Sequence, residues 1–326
     1  MPRTPEEIQA ALRSFMDSRT LLTAIELDLF SAVGEGATGE EVAARIAGEP
    51  RATGMLLDAL AALGVLVKYE GRYACTEASG KLGPQRSGLM HLVHQWEVWS
   101  TLTACVKAGT TVLPERLAGQ DPAGTEAFIQ AMHARARALA PELAARLGTR
   151  LGTQGVVRML DVGGGPGTFA LAFAGANPLL RAEVLDLPAV LPIARRIIQE
   201  AGLGDRVTVR AGDLKRDDLG RGYDLILVSA ICHMLSEAEN RDLLGRCAQA
   251  LAPGGRLVIR DFILDPDRAG PKDAAVFALN MLVGTRGGNT YTESEYRAWL
   301  AEAGLPELTR LEGVEQVLVA RAPVAS

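Results

Sequence analysis

Residues 159–173 read MLDVGGGPGTFALAF, with three consecutive glycines between two apolar runs. The preceding residues complete a short strand, VVRMLDVG, and the following ones, GTFALAFAGA, open a helix. A strand, a glycine-rich turn and a helix in succession make a nucleotide-type site. Without Cβ atoms the backbone approaches a ligand closely, and the helix N-terminus offers free N–H donors. Spacing narrows the ligand. The glycines run Gly163-x-Gly165-x-Gly167, not the G-x-G-x-x-G of a dinucleotide pyrophosphate turn, which disfavours NAD and FAD.

The chain beyond Gly152 alternates strands and helices. After the glycine turn come the strand RAEVLDL, the helix AVLPIARRIIQEAG and the strands RVTVRAGD and YDLILVSA. The helix SEAENRDLLGRCAQAL, a turn at Pro253-Gly254-Gly255 and the strand RLVIRDFIL follow. Repeated βα units imply a parallel sheet with helices on both faces and ligands at the carboxyl ends of its strands. Two acids fall at such ends. Asp186 closes the strand after the glycine turn, 23 positions beyond Gly163, where a carboxylate accepts ribose hydroxyls. Asp213 closes the third strand, where an acid accepts from the exocyclic amine of adenine.

The N-terminal part has a different grammar. From Ile8 to about Leu82 apolar residues recur at three and four positions, as in LLTAIELDLFSAV and TGMLLDALAALGVL. Thr38 is an N-cap candidate ahead of Glu40 and Glu41, and Gly48-Glu49-Pro50 breaks the chain before the third helix. VLVKYEGRYACTEAS then alternates around Glu70-Gly71, a hairpin. Helices followed by a hairpin form a winged-helix-like shape, yet the third helix carries almost no positive charge after Arg51. Dimerisation or capping of a substrate is therefore expected there, not DNA binding.

Between these parts lie the helical segments MHLVHQWEVWSTLTACV and AFIQAMHARARALAPELAARL. They hold two of the 3 tryptophans and three of the 4 histidines, with Phe128 and Met132 at i,i+4 on one helix face. That face is either core or the wall of an apolar substrate pocket. His91, His94 and His133 could ligate a metal in principle, but no acid or cysteine lies at ligand spacing, and no metal is expected. At 326 residues the chain exceeds one domain of roughly 100–200 residues. The expected division is a helical winged-helix-like domain at 1–85, connecting helices that contribute to the substrate pocket at 86–150 and the nucleotide-type domain at 151–326.

Charge and cysteines bound the setting. A net charge of -5 without a basic cluster argues against nucleic acid and anionic membrane and favours a small substrate. The 4 cysteines form no C-x-x-C pair, as reduced cytosolic thiols would be. One long apolar stretch, Leu225 to Leu235, is too short to span a bilayer. A cytoplasmic, intracellular protein is expected.

The motifs LDVGGGPGTFA, VLDLPAVLPIAR, AGDL, YDLILVSAICHMLSEAEN, LAPGGRLVIRDFIL and LNMLVGTRGGNTYTESEYRAWLAEAGL, taken in order, resemble those of class I S-adenosylmethionine-dependent methyltransferases. More narrowly they resemble the O-methyltransferases with an N-terminal helical dimerisation domain, the group that includes the plant caffeic acid enzyme and acetylserotonin O-methyltransferase. The resemblance spans almost the whole chain and is strongest from residue 158 to 305. It implies that Asp161, Gly163 and Gly165 lie under the methionine and ribose part of S-adenosylmethionine. Asp186 with Leu187 would hold the ribose, and Asp213 with Leu214 would border the adenine. His233 matches the catalytic base, Asp261 the acid against it, and Met281, Phe128 and Met132 the walls around the acceptor. Trp96 joins them as a candidate substrate contact. The group also implies a homodimer.

Three positions depart from that pattern. His233-Met234-Leu235 stands where the plant enzymes have His-Asp-Trp, Thr290 replaces a second acid flanking the histidine, and Asp261 is shorter than the more usual glutamate. The expected activity is in-line methyl transfer to a small aromatic or natural-product hydroxyl with His233 as general base. An N-, S- or C-methyltransferase, or a protein that binds the cofactor without transferring its methyl, is the alternative.

Overall fold

The computed structural model describes residues 3–113, 122–148, 157–311, 313–314 and 316–324. The chain divides into two compact units, 1–97 and 98–326. The domain boundary expected at residue 150 falls outside the described residues.

The first unit contains α1 (Pro5–Arg13), α2 (Phe15–Glu26), α3 (Leu29–Val33), β1 (Ala37–Thr38), α4 (Gly39–Arg45), α5 (Pro50–Ala62), β2 (Leu66–Tyr69) and β3 (Arg72–Cys75); α6 (Arg86–Trp99) runs to its end. Capping decides where these helices start. Thr38 accepts from the Glu41 N–H while the Glu41 carboxylate accepts from the Thr38 N–H, a reciprocal pair that satisfies two otherwise orphaned donors. Glu49 accepts from the N–H groups of Arg51 and Ala52 ahead of the Pro50 start. The hairpin β2–β3 turns at Glu70 and Gly71, whose φ values of 47° and 77° are the left-handed pair that a two-residue hairpin needs. Two-residue β1 pairs antiparallel with β3 to complete a small sheet in the order β1-β3-β2. Leu29, Phe30, Val42, Leu57, Leu60 and Tyr73 form its core.

The second unit continues with α7 (Leu102–Ala108), α8 (Pro122–Gly148), β4 (Val157–Val162), α9 (Thr168–Ala176), β5 (Leu180–Asp186), α10 (Leu191–Glu200), β6 (Val207–Ala211) and β7 (Tyr223–Ser229). It ends with α11 (Glu237–Ala250), β8 (Leu251–Arg260), β9 (Ile263–Leu264), α12 (Lys272–Gly284), β10 (Tyr291–Thr292), α13 (Glu293–Glu302), β11 (Leu308–Arg310) and β12 (Val317–Arg321). Seven strands form one sheet in the order β11-β12-β8-β7-β4-β5-β6, in which β8, β7, β4, β5 and β6 are parallel, β12 runs opposite to them, and edge strand β11, antiparallel to β12, runs in their direction. The fold is Rossmann-like. β5 and β6 extend the sheet to one side of β4, and β7 and β8 extend it to the other. The strand order therefore reverses between β4 and β7, and the carboxyl ends of these two strands are where a sheet of this kind places its ligand crevice.

Side chains alternate across this sheet as a strand period of two requires. Leu160, Val162, Ile226, Val228, Leu257 and Ile259 pack with α11 and α13, whereas Val157, Met159, Leu225, Leu227 and Val258 pack with α8 and α9. The structure differs from sequence expectation at Pro253-Gly254-Gly255. Instead of a turn before the strand, these residues form a bulge inside β8, with Gly254 at φ 74° and the β7 register shifted between Tyr223 and Leu225. Among the described residues no helix is long and apolar enough to cross a membrane.

Tyr291, Tyr296 and Trp299 pack edge to face with ring centroids 4.9, 5.4 and 6.2 Å apart, anchoring α13 on the sheet. Trp299 is among the largest fully buried side chains. Trp299→Ala should cost about 3–5 kcal/mol in denaturant unfolding of the second unit, and a loss under about 1 kcal/mol would contradict this packing role.

Candidate active site at the strand switch

Gly163, Gly165 and Gly167 all have positive φ, at 64°, 53° and 73°. The spacing seen in the sequence is thus a conformational requirement. Gly164 answers to space instead: a Cβ there would lie 2.6 Å from Asp161 Cγ. A Cβ on Gly163 would lie 2.4 Å from Ile231 Cδ1 and 3.2 Å from Leu214 Cδ2, so the chain ends after β4, β6 and β7 meet at this glycine. Above Gly165 the nearest atom to such a Cβ is Ile129 Cδ1 of α8, at 3.8 Å.

Asp186 ties the turn to the end of β5. Its Oδ2 accepts from the Gly165 N–H at 2.7 Å and its Oδ1 from the Leu187 N–H at 2.7 Å. Burial raises its pKa while these two donors pull it back. Each oxygen retains acceptor capacity for a ligand hydroxyl. Asp213 sits beyond β6 with its oxygens accepting from the Lys215 N–H at 2.9 Å and Arg216 Nε at 2.7 Å. Burial acts upward on its pKa, but these partners hold it below the usual carboxylate value. Arg216 is 79% exposed, so its ion pair is weak enough for a ligand donor to replace.

Asp161 lies fully buried beneath the turn, and neither carboxylate oxygen has a hydrogen-bond partner among the described residues. Burial raises its pKa to about 7; the Ala170 N–H, outside hydrogen-bond geometry, opposes the rise, and the Asp186 charge adds to it. An orphaned buried carboxylate is costly unless a ligand completes it. A bare glycine cradle, one orphaned carboxylate and a second carboxylate with spare acceptor capacity fit a ligand with amino and ribose groups.

His233 occupies a short 3-10 turn, Cys232–Met234, just beyond β7, and Asp261 follows β8 directly. Both are buried. His233 Nδ1 stands 2.6 Å from Asp261 Oδ1, whose second donor is the Phe262 N–H at 2.8 Å, and the His233 N–H donates to Asp261 Oδ2 at 3.1 Å. Nδ1 therefore carries the proton, and Nε2 is left with its lone pair and no hydrogen bond to a described residue. The turn itself is locked from behind. Asn240 Nδ2 donates to the carbonyls of Cys232, Leu235 and Ser236 at 2.9, 3.2 and 3.1 Å, and Asn289 N–H donates to the His233 carbonyl at 2.9 Å. Thr290 turns away from the imidazole: its hydroxyl donates to the Ala274 carbonyl at 3.1 Å. His233 has one acid partner.

Aromatic rings enclose the base. Phe277 of α12 meets it edge-on at 4.9 Å and Phe262 at 6.0 Å, while the two phenyl rings stack at 3.9 Å. Buried Met281 lies one turn after Phe277 on α12. Phe128 and Met132 share a face of α8 with Arg135, whose guanidinium lies 5.5 Å from the Phe262 ring centroid. His133, between them in sequence, pairs with Thr168 at the start of α9 at 2.8 Å. Trp96 belongs to the first unit, where the Arg19 guanidinium lies 5.8 Å from its ring centroid.

The structure thus gathers Asp161, Gly163, Gly165, Asp186, Leu187 and Leu214 around the glycine turn and joins His233 to Asp261 beyond the next strands. Sequence reasoning missed Ile231, Asn240, Phe262 and Phe277. Phe277 stands four residues before Met281, a helical spacing that could have paired them; Asn240 and Ile231 carried no local signal. Among the described residues no three histidine, cysteine or acid side chains gather to hold a metal ion.

A doubly wound sheet with this turn and a buried His–Asp pair defines a nucleotide-cofactor enzyme. Residues 10–82 match the O-methyltransferase dimerisation domain and residues 104–306 the O-methyltransferase domain. The chain belongs to the O-methyltransferase family, whose methyl donor is S-adenosylmethionine. It is 34% identical over 303 residues to 3-hydroxy-5-methyl-1-naphthoate 3-O-methyltransferase of Streptomyces sahachiroi, covering 89% of this chain and 86% of that one. Tetracenomycin polyketide synthesis 8-O-methyl transferase TcmO of Streptomyces glaucescens is 30% identical over 336 residues, 98% of each chain. The structure of PigF with SAH, a protein of Serratia sp., is 25% identical with a TM-score of 0.86, covering 98% of this chain and 100% of that one.

A raised acid pKa means that the folded state holds a proton the unfolded chain releases, so Asp161 favours folding at low pH and that contribution is lost as pH rises from about 4 through about 7. Asp161→Asn should therefore be more stable than the ligand-free parent at pH 8, by on the order of a few kcal/mol, with the gap nearly closed at pH 4. Thermal unfolding of both proteins across that range checks it; a pH-independent gap would contradict the assignment.

Proposed function

We propose that this protein transfers the methyl group of S-adenosylmethionine to an aromatic hydroxyl, with His233 as the general base. The observation that carries the reading is the 2.6 Å bond between His233 Nδ1 and buried Asp261, which leaves Nε2 as the basic nitrogen. Asp161, Gly163, Gly165, Asp186, Leu187, Asp213 and Leu214 would hold the cofactor. When bound, it supplies an electrophilic methyl group on a sulfonium whose departure leaves a neutral thioether.

His233 Nε2 takes the acceptor's hydroxyl proton as the oxygen forms its new bond to carbon. Asp261 fixes the imidazole tautomer and stabilises the imidazolium that results. Phe262 and Phe277 exclude water from the base, and Met281, Phe128 and Met132 are the expected walls around the acceptor. The Streptomyces sahachiroi relative, a naphthoate O-methyltransferase, and the Streptomyces glaucescens relative, an O-methyl transferase of polyketide synthesis, support an aromatic natural-product acceptor.

The matched dimerisation domain supports a homodimer, as does α1, which buries none of its residues. Its Ile8 and Leu12 and the neighbouring Phe15 are 50, 72 and 56% exposed, an apolar face that a second copy would cover. Sedimentation should show a dimer at micromolar concentration, and Leu12→Glu should shift it toward monomer; a monomeric parent would defeat the proposal.

The catalytic assignment is tested with labelled S-adenosylmethionine and a panel of phenols, thiols and amines. His233→Ala should lower kcat by about 10²–10⁴, with S-adenosylhomocysteine affinity unchanged. Asp261→Asn should lower kcat at least about tenfold through the wrong tautomer. Full turnover in His233→Ala would remove His233 from the mechanism.

A further inference from the structure

Two arginines of the second unit, each over an aromatic ring, have no role in the mechanism above. Arg260 closes β8 and continues that strand's alternation onto the face of Val258, where its guanidinium lies 5.8 Å from the Phe169 ring centroid on α9. Arg135 of α8 covers Phe262, the ring stacked on Phe277 and set against His233. Neither guanidinium forms an ion pair or a hydrogen bond with a described residue. Other arginines of this unit do: Arg158 donates to the Arg221 carbonyl, Arg206 to that of Ala174, and Arg246 to Asp242 and the Leu214 carbonyl.

The two cations also oppose each other. Burial lowers the pKa of Arg260, Arg135 lowers it further, and only the neighbouring Asp261 acts the other way. Asp261 is already engaged by His233 and Phe262. A half-buried guanidinium facing a like charge is unfavourable without an anion. A planar fork of N–H donors set over an aromatic ring, as Arg135 is over Phe262, matches a carboxylate attached to a ring.

From this arrangement we propose that Arg260 and Arg135 form a carboxylate subsite of the acceptor pocket, so that the preferred acceptor is an aromatic acid. The acceptor's ring lies along Phe262 and Phe277, its carboxylate meets the two arginines, and its hydroxyl reaches His233. The same positive field favours loss of the hydroxyl proton, which offsets the single acid partner left to His233 by Thr290. This subsite rests on the methyl-transfer reading, but its test does not require turnover.

The test is equilibrium binding of benzoate and 2-naphthoate, each against its uncharged amide, to the full chain saturated with S-adenosylhomocysteine. At least one acid should bind about tenfold more tightly than its amide, and added salt should shrink the preference. Arg260→Gln and Arg135→Gln should each reduce that preference toward parity while S-adenosylhomocysteine affinity stays within about twofold. Arg135 is exposed, so its variant keeps the test valid if Arg260→Gln folds poorly. Acids that bind no tighter than their amides, including no binding by either, would overturn the subsite and leave methyl transfer standing. A loss of S-adenosylhomocysteine affinity in Arg260→Gln would also overturn it, assigning that guanidinium to the cofactor's own carboxylate. Failure of the parent protein to bind S-adenosylhomocysteine would instead sink the methyl-transfer reading, and the subsite with it.

Discussion

The Asp261 carboxylate holds together the end of β8, the turn after β7 and the imidazole of His233 through three hydrogen bonds. That geometry depends on two parallel strands ending at matched heights, and the β7–β8 register, Val228 opposite Ile259 and Ser229 opposite Arg260, supplies it. The bond from the Ala230 N–H to the Arg260 carbonyl extends the pairing one step past the strand. Ala230 then turns with φ at 57°, an unfavourable value for a residue with a Cβ, and the chain enters the turn that carries His233. Asn240 and Asn289 secure the carbonyls of that turn, so the imidazole is preorganised before any ligand arrives.

The opposite wall of the crevice is organised by carboxylates. Asp186 accepts from the glycine turn and from its own strand end, and the orphaned Asp161 keeps an unmet demand for donors below the turn. The free-energy cost of burying Asp161 is stability withheld from the empty fold, of the kind a cofactor with matching donors returns on binding. Base and cradle sit at adjacent strand ends because β4 and β7 are neighbours at the reversal of strand order.

Much of this was legible in the chain because the signals are local. The spacing Gly163-x-Gly165-x-Gly167 encodes three left-handed backbone positions, and Glu70-Gly71 encodes a hairpin turn in the same way. Asp186 and His233 were readable as residues just beyond apolar runs. The features that escaped are those that no short window contains. Phe262, Phe277 and Arg135 come from three separate segments, the link between β8 and β9, α12 and α8, and meet only through tertiary packing. Pro253-Gly254-Gly255 reads locally as a turn, yet strand pairing on both sides absorbs it as a bulge.

The chemistry of the whole site depends on the ligand of the glycine turn. The most direct measurement is calorimetric titration of the purified protein with S-adenosylhomocysteine, with NADH as the comparison. Saturable binding of S-adenosylhomocysteine and none of NADH is the expected result. Binding of NADH, or of neither, would contradict it.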